Sequence, residues 1–215
     1  VRPRPPMVTT GTGSGKTEAF LYPILDHVLR AKRDGQRGVK ALILYPMNAL
    51  ANDQAQRLAG LITGRPELRG VRAGVYIGQK GPQLSSVTSE GLINDRHALR
   101  EDPPDILLTN YKMLDQLLLR AKDQRIWQAS AESLQYLVLD EFHTYVGAQG
   151  TDVAMLLRRL GMTLRQYQDE SLLSSEDRAR PLGRVTPVGT SATLGGDSAA
   201  KMRDFAETVV GDPFE

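Results

Sequence analysis

The chain predicts an α/β fold, an open and mainly parallel sheet with helices on both faces. Short apolar runs alternate with amphipathic stretches from end to end, the pattern of strand–helix–strand units. Ala41-Leu42-Ile43-Leu44-Tyr45 is an unbroken apolar strand, as expected where both faces of a sheet are covered. Residues 10–17 read Thr-Gly-Thr-Gly-Ser-Gly-Lys-Thr between an apolar run and a helical pattern, which marks a phosphate-binding turn joining a strand to a helix.

Met7-Val8-Thr9 is a short first strand feeding that turn. Lys16 to Lys32 follows as a helix, with Phe20, Leu21, Ile24, Leu25, Val28 and Leu29 at helical spacing. Pro23 inside it is expected to kink it or mark its first turns. Gly35 and Gly38 end the unit. Asn48 to Leu61 is the next helix, Val71 to Ile77 the next strand, and Gly78 to Ser89 a loop. Pro103-Pro104 set the start of a strand at Asp105 to Thr109, and Met113 to Leu119 continues as helix. Leu134 to Leu139 is a strand ending in Asp140-Glu141. Thr151 to Gln166 is a long helix with Val153, Leu156, Leu157, Leu160 and Leu164 on one face. Asp169 to Gly183 is polar and rich in Ser, Asp, Glu and Arg, so a mobile surface loop is expected there. Arg184 to Thr190 and Ala199 to Val210 are the last strand and helix. No internal repeat or interdomain linker is visible, and residues 1–215 read as one domain.

With 215 residues and 40% apolar content the chain can bury a sizeable core. A net charge of +2 points to no partner by itself, so any nucleic-acid site has to be local. The absence of cysteine excludes disulfides, thiolate zinc sites and iron–sulfur clusters. No apolar run approaches the roughly 20 residues that span a bilayer. Val1-Arg2-Pro3-Arg4-Pro5-Pro6 lacks the apolar stretch of a signal peptide, and a cytoplasmic location is expected. The chain starts without Met and reaches the phosphate turn almost at once, so a fragment of a longer protein is expected.

The turn sets the chemistry. Glycines let backbone N–H groups close around phosphate oxygens, Lys16 supplies a point charge and Thr17 a hydroxyl for Mg²⁺. The helix that starts there adds the positive end of its dipole. Thr10, Gly11, Thr12, Gly13, Ser14, Gly15, Lys16 and Thr17 are therefore the candidate ATP-binding residues. Leu137-Val138-Leu139-Asp140-Glu141-Phe142-His143 is an apolar strand ending in adjacent acids, which places both carboxylates at the edge where open α/β sheets bind ligands. Asp140 is positioned to hold Mg²⁺ and Glu141 to activate water. Gly189-Thr190-Ser191-Ala192-Thr193 brings small hydroxyls to the end of the last strand, within reach of Asp140 or His143. Taken alone, that segment is a Ser/Thr turn. A small-molecule kinase also carries a phosphate turn, and the acidic and hydroxyl segments argue against it.

In order, these segments resemble the motifs of superfamily 2 helicases, in particular the first RecA-like domain of the DEAD/DEAH-box group. Thr10–Thr17 matches motif I, Asp140-Glu141-Phe142-His143 motif II, and Ser191-Ala192-Thr193 motif III. Tyr45-Pro46-Met47-Asn48-Ala49-Leu50-Ala51-Asn52-Asp53-Gln54 resembles motif Ia and Thr109-Asn110-Tyr111-Lys112-Met113-Leu114 motif Ib, with Gly78 at a family glycine turn. Within the group the chain looks closest to MrfA-type repair helicases and the large helicases of phage-defence systems, through Thr10-Gly11-Thr12, Pro46 to Gln54, and Asp140 to Tyr145 with Gly147 and Gly150.

The resemblance implies a RecA-like domain that binds ATP and Mg²⁺ and couples hydrolysis to movement along nucleic acid, DNA on the sub-family likeness. It implies catalytic roles for Lys16, Asp140, Glu141 and His143, and a coupling role for Ser191, Ala192 and Thr193. Pro46, Asn48, Thr109 and Asn110 are the implied nucleic-acid residues, on a track across motifs Ia and Ib away from the ATP edge; Lys112 and Arg57 read as solvated surface residues or, as the second choice, auxiliary charges. The basic pairs Lys32-Arg33 and Arg158-Arg159 read as solvated helix faces and Trp127 as a packing residue. Many relatives have Arg or Lys where this chain has Asn48. A second RecA-like domain with its arginine fingers is the expected partner. A nucleotide-gated clamp, or an RNA helicase without processive DNA unwinding, would use the same residues.

Overall fold

The computed structural model describes residues 6–10, 15–78, 82–145, 148–192 and 196–211. Gly11, Thr12, Gly13, Ser14, Gly147 and Thr193 lie outside the described residues, as do Val1 to Pro5 and part of the loop after Gly78; Thr10 and Ala192 are described by backbone alone. The strands are β1 (Met7–Thr10), β2 (Ala41–Tyr45), β3 (Ala73–Tyr76), β4 (Ile106–Asn110), β5 (Tyr136–Leu139) and β6 (Thr186–Ala192). They form one six-stranded sheet in the order β1-β6-β5-β2-β4-β3, and every pair is parallel.

The helices are α1 (Lys16–Arg33), α2 (Asn48–Gly64), α3 (Arg96–Glu101), α4 (Tyr111–Leu119), α5 (Gln124–Ser130), α6 (Ala148–Arg165), α7 (Ser175–Ala179) and α8 (Gly196–Val210). Strand alternation divides the core. Ala41, Ile43 and Tyr45 of β2 join Val138 of β5 under α1 and α2. Leu42 and Leu44 join Leu137 and Leu139 under α4, α5, α6 and α8. Both faces are dry, which is why β2 and the first three residues of β4, Ile106 to Leu108, are apolar.

Most expected elements are present, with bounds shifted by a few residues. α1 runs through Pro23, which sits exposed on its solvent side. Gly38, at φ 80°, is required by close approach, since a Cβ there would lie 2.0 Å from the Ala129 carbonyl oxygen. The segment 169–183 is not a plain loop. Ser174 and Asp177 form a capping box that starts α7, and Leu173 and Leu182 are buried. α3 and α5 lie where no helix was expected.

Trp127 is fully buried, and its indole N–H donates to the Leu117 carbonyl at 3.0 Å, so its role is packing. Neither basic pair is simply solvated. Lys32 pairs with Asp105 at 3.0 Å, and Arg159 pairs with Asp115. Arg158 donates to the carbonyls of Ala154 at 3.0 Å and Val209 at 3.4 Å, tying α6 to the end of α8.

The amino edge of the sheet is held by a buried ion pair. Lys40, 1% exposed, donates to Asp105 Oδ1 at 3.0 Å and to the carbonyls of Gln36 at 2.8 Å and Gly38 at 2.9 Å. Asp105 Oδ2 accepts from the Arg72 N–H at 2.8 Å and from Lys32 at 3.0 Å. Every charge in the cluster is paired, so removing one partner strands another. Asp105→Ala is expected to destabilise the domain by about 3–5 kcal/mol, read as a lower urea midpoint. A loss under about 1 kcal/mol would show that Lys40 is solvated when unpaired.

Candidate active site at the carboxyl edge of the sheet

β6 lies between the strand that carries the phosphate turn and the strand that carries the acids. Thr9 pairs with Ser191 and Thr10 with Ala192 on one side, and Leu139 pairs with Gly189 on the other. One residue beyond that last pair, Asp140 and Thr190 become neighbours. The Asp140 N–H still bonds to the Leu44 carbonyl at 3.0 Å, so the acid sits on the last rung of the ladder.

Thr190, fully buried, works in two directions. Its hydroxyl donates to Asp140 Oδ1 and accepts from the Glu141 N–H at 3.2 Å. That grip accompanies a strained backbone. Glu141 has φ 49°, a left-handed conformation that non-glycine residues adopt at about 1–2 kcal/mol. The turn that follows is closed by the Thr144 N–H and hydroxyl, each 2.8 Å from the Glu141 carbonyl. A carboxylate held this way is aimed rather than free.

Lys16 reaches the same place from the other side. Gly15, at φ 82°, ends the phosphate turn and lets α1 begin at Lys16. The Lys16 ammonium lies 3.3 Å from Glu141 Oε1, with the two side chains 10% and 26% exposed. Glu141 Oε2 lies 3.3 Å from His143 Nδ1, which is also 3.3 Å from the Ser191 hydroxyl. Lys16, Glu141, His143 and Ser191 are thus one connected line, and Asp140 joins it through Thr190. Burial raises the Asp140 carboxyl above the usual carboxylate range, with the Glu141 charge adding and the Thr190 hydrogen bond opposing.

The donor set suits a nucleotide-borne Mg²⁺. The Thr17 hydroxyl and the Asp140 carboxylate are hard oxygen donors, and Mg²⁺ held with a nucleotide needs only one or two protein oxygens. Among the described residues no group of three or more His, Cys, Asp or Glu side chains forms a metal cage.

The expected nucleic-acid residues lie at the starts of α2 and α4, and since β2, β4 and β5 are parallel they share the carboxyl edge with the acids rather than lying away from it. Asn110 caps α4, accepting from the Met113 N–H at 2.8 Å, and its amide nitrogen donates to Asn48 Oδ1. The two helix N-termini are thereby joined, Pro46 is half-buried, and Met47, just before α2, is 63% exposed. Thr109 needs correction. It is fully buried and its hydroxyl donates to the Tyr76 carbonyl at 2.6 Å, so its side chain offers no donor at the surface. Arg57 is committed to Glu18 at 2.7 Å, and the Lys112 ammonium lies 5.8 Å from the Tyr111 ring centre. Thr190, between Asp140 and Glu141, is the site residue that the sequence marks only faintly, through the hydroxyl segment of β6.

The sequence profile of the DEAD/DEAH box helicase family matches residues 4–202. The Druantia protein DruE of Escherichia coli is 28% identical over 95% of this chain and 16% of its own length. The uncharacterized ATP-dependent helicase YprA of Bacillus subtilis is 28% identical over 97% of this chain and 22% of its own. Among solved structures, the DUF1998 helicase MrfA bound to DNA and AMPPNP superposes with a TM-score of 0.70 at 26% identity, covering 99% of this chain and 24% of that one. The chain therefore spans less than a quarter of each of these proteins. Mss116p bound to ssRNA and AMP-PNP, at 20% identity and a TM-score of 0.69, shares the fold.

Asp140 gives a pH test. A carboxyl whose folded pKa lies above its unfolded one binds its proton more tightly in the folded state, so its contribution to stability is present at acid pH and lost as pH rises through the folded pKa. At neutral pH without Mg²⁺ and nucleotide, the ionised Asp140 is destabilising. Asp140→Asn keeps an acceptor for Thr190 without the charge. It is expected to raise the urea midpoint near neutrality and to converge on wild type below the ordinary carboxylate range. Parallel stability curves across that window would show that Asp140 carries no such penalty.

Proposed function

The chain belongs to the DEAD/DEAH box helicase family, and from that premise we propose that it is the ATP-binding, first RecA-like domain of a longer ATP-dependent DNA helicase or translocase. The observation that carries the reading is the meeting of Lys16 and Glu141 at 3.3 Å, 125 positions apart in the chain, on the edge where the start of α1, Asp140 and Thr190 converge. A structural ion pair needs no phosphate turn and no second acid beside it, whereas a nucleotide-hydrolysing site uses both.

In this reading the pair is a resting contact. The Lys16 ammonium moves onto the β- and γ-phosphate oxygens when ATP enters, and Glu141 Oε1 is left to accept a proton from water. That water attacks the γ-phosphorus in line, the bond to the β–γ bridging oxygen breaks, and ADP leaves with its electrons. Thr17 and Asp140 are the residues to hold Mg²⁺, which supplies charge neutralisation along the phosphates. Thr190 keeps Asp140 and Glu141 in register, so neither acid reorganises at the moment of reaction. The cationic group that completes the site comes from a second RecA-like domain.

His143, bonded to Ser191 and beside Glu141, is suited to report nucleotide state to β6. The N-termini of α2 and α4, tied through Asn48 and Asn110, are suited to grip a phosphate backbone by N–H groups, without reading sequence. The DNA-bound MrfA structure shares 26% identity over 99% of the chain and supports DNA as the track. Among the described residues no helix is long and apolar enough to cross a membrane, and a cytoplasmic location goes with this reading.

The test is ATP turnover by the full-length protein without nucleic acid, with single-stranded or duplex DNA, and with RNA, alongside strand displacement. DNA-stimulated turnover with displacement is expected; turnover indifferent to all three would overturn the motor reading, and stimulation without displacement would favour a clamp. Glu141→Gln is expected to keep nucleotide binding while turnover falls about 10²–10⁴-fold, measured by phosphate release beside fluorescent-nucleotide titration. A loss of less than tenfold would remove Glu141 from the role of base.

A further inference from the structure

Past the acids the chain makes a 3₁₀ turn, Phe142–Tyr145, whose two aromatic ends are both fully buried. A continuous run of rings passes through it. Phe205 of α8 lies 5.5 Å from Phe142, Phe142 lies 6.0 Å from Tyr145, and Tyr145 meets Tyr111 edge-on at 6.4 Å and 86°. Tyr111 is the first residue of α4. The residue before it, Asn110, caps α4 and bonds to Asn48 at the start of α2. One line of contact therefore leads from the acidic turn to both helix N-termini. It is separate from the link between His143 and Ser191, which runs back to β6.

Packing alone does not explain why residue 145 is Tyr. Its hydroxyl is buried and has no hydrogen-bond partner among the described residues. Such a group is destabilising where it stands, and a Phe ring would fill the same space without that penalty. The start of α6 packs closely on the turn and on Phe205. A Cβ on Gly150 would come within 2.5 Å of both the Tyr145 carbonyl oxygen and the Phe205 ring. Burial first, and then the charges of the Asp140 carboxyl and the Tyr111 phenol, push the hydroxyl above the usual phenol range. Asp140 and Tyr111 belong to the two sites that have to communicate.

We propose that Tyr145 is a positioning residue that couples nucleotide state at Asp140–His143 to the start of α4, its hydroxyl gaining a hydrogen-bond partner in the nucleotide-closed arrangement. A discrete switch needs two arrangements that differ in a contact. An unpaired buried hydroxyl at the junction supplies that difference. The ring contact with Tyr111 then carries the displacement to Asn110 and Asn48. The inference rests on the reading of the domain as a nucleic-acid-stimulated ATPase.

The test uses the full-length protein. ATP turnover is measured with and without saturating single-stranded DNA for wild type, Tyr145→Phe, Tyr111→Leu and the double variant, with thermal midpoints for each. Tyr145→Phe is expected to keep basal turnover within about twofold and a midpoint at or above wild type, while DNA stimulation falls about fivefold or more. Adding it to Tyr111→Leu is expected to cause little further loss of stimulation, the mark of one shared path. Stimulation equal to wild type in Tyr145→Phe overturns the inference alone. Basal turnover falling in step with stimulation also overturns it, since Tyr145 would then support the ATP site itself. Wild-type protein that DNA does not stimulate defeats the functional reading and the inference together.

Discussion

The site depends on the position of β6 between β1 and β5. Parallel pairing puts the carboxyl ends of all three strands on one edge, and the register then decides which side chains meet there. With Leu139 opposite Gly189 and Thr9 opposite Ser191, Asp140 falls beside Thr190, next to the strand that feeds the phosphate turn. A slip of one residue would turn every side chain of β6 to the opposite face. The Thr190 hydroxyl would then leave Asp140 and Glu141, and Ser191 would leave His143. Val188 in one core and Val185, just before the strand, in the other oppose that slip.

The two edges of the sheet differ in how their charges are satisfied. At the amino edge Lys40 and Asp105 have a full set of partners. At the carboxyl edge the acids are crowded, Glu141 is held left-handed, and Asp140 is pushed towards its neutral form by burial. The Lys16–Glu141 pair offsets part of this. Such strain at one end of a well-packed sheet is expected where ligand binding, rather than folding, completes the electrostatics.

Much of the fold was legible because its signals are strong and local. Unbroken apolar runs gave β2, β4 and β5, and the five motifs fell in chain order on strand ends. The misses have physical reasons. α3 and α5 are too short to show periodicity, although Asp95 before α3 is an N-cap signal that accepts from the His97 and Ala98 N–H groups. The polarity of segment 169–183 masked Ser174 and Asp177, a readable capping pair. Thr109 resembled a surface donor because the sequence does not say which way a strand-end side chain points; it points inward to Tyr76. The bond between Asn48 and Asn110, and the run of rings through Tyr145, join residues far apart in the chain. They became visible only once β4, β5 and the helices between them were placed.

Under the proposed function, ATP and nucleic acid are linked because both are held from one edge of one sheet. The most direct measurement is the affinity of the full-length protein for single-stranded DNA, first with Mg²⁺ and ADP and then with Mg²⁺ and a non-hydrolysable ATP analogue. A difference of about fivefold or more is predicted, with the same factor appearing reciprocally in nucleotide affinity. Equal DNA affinity in the two nucleotide states would contradict it.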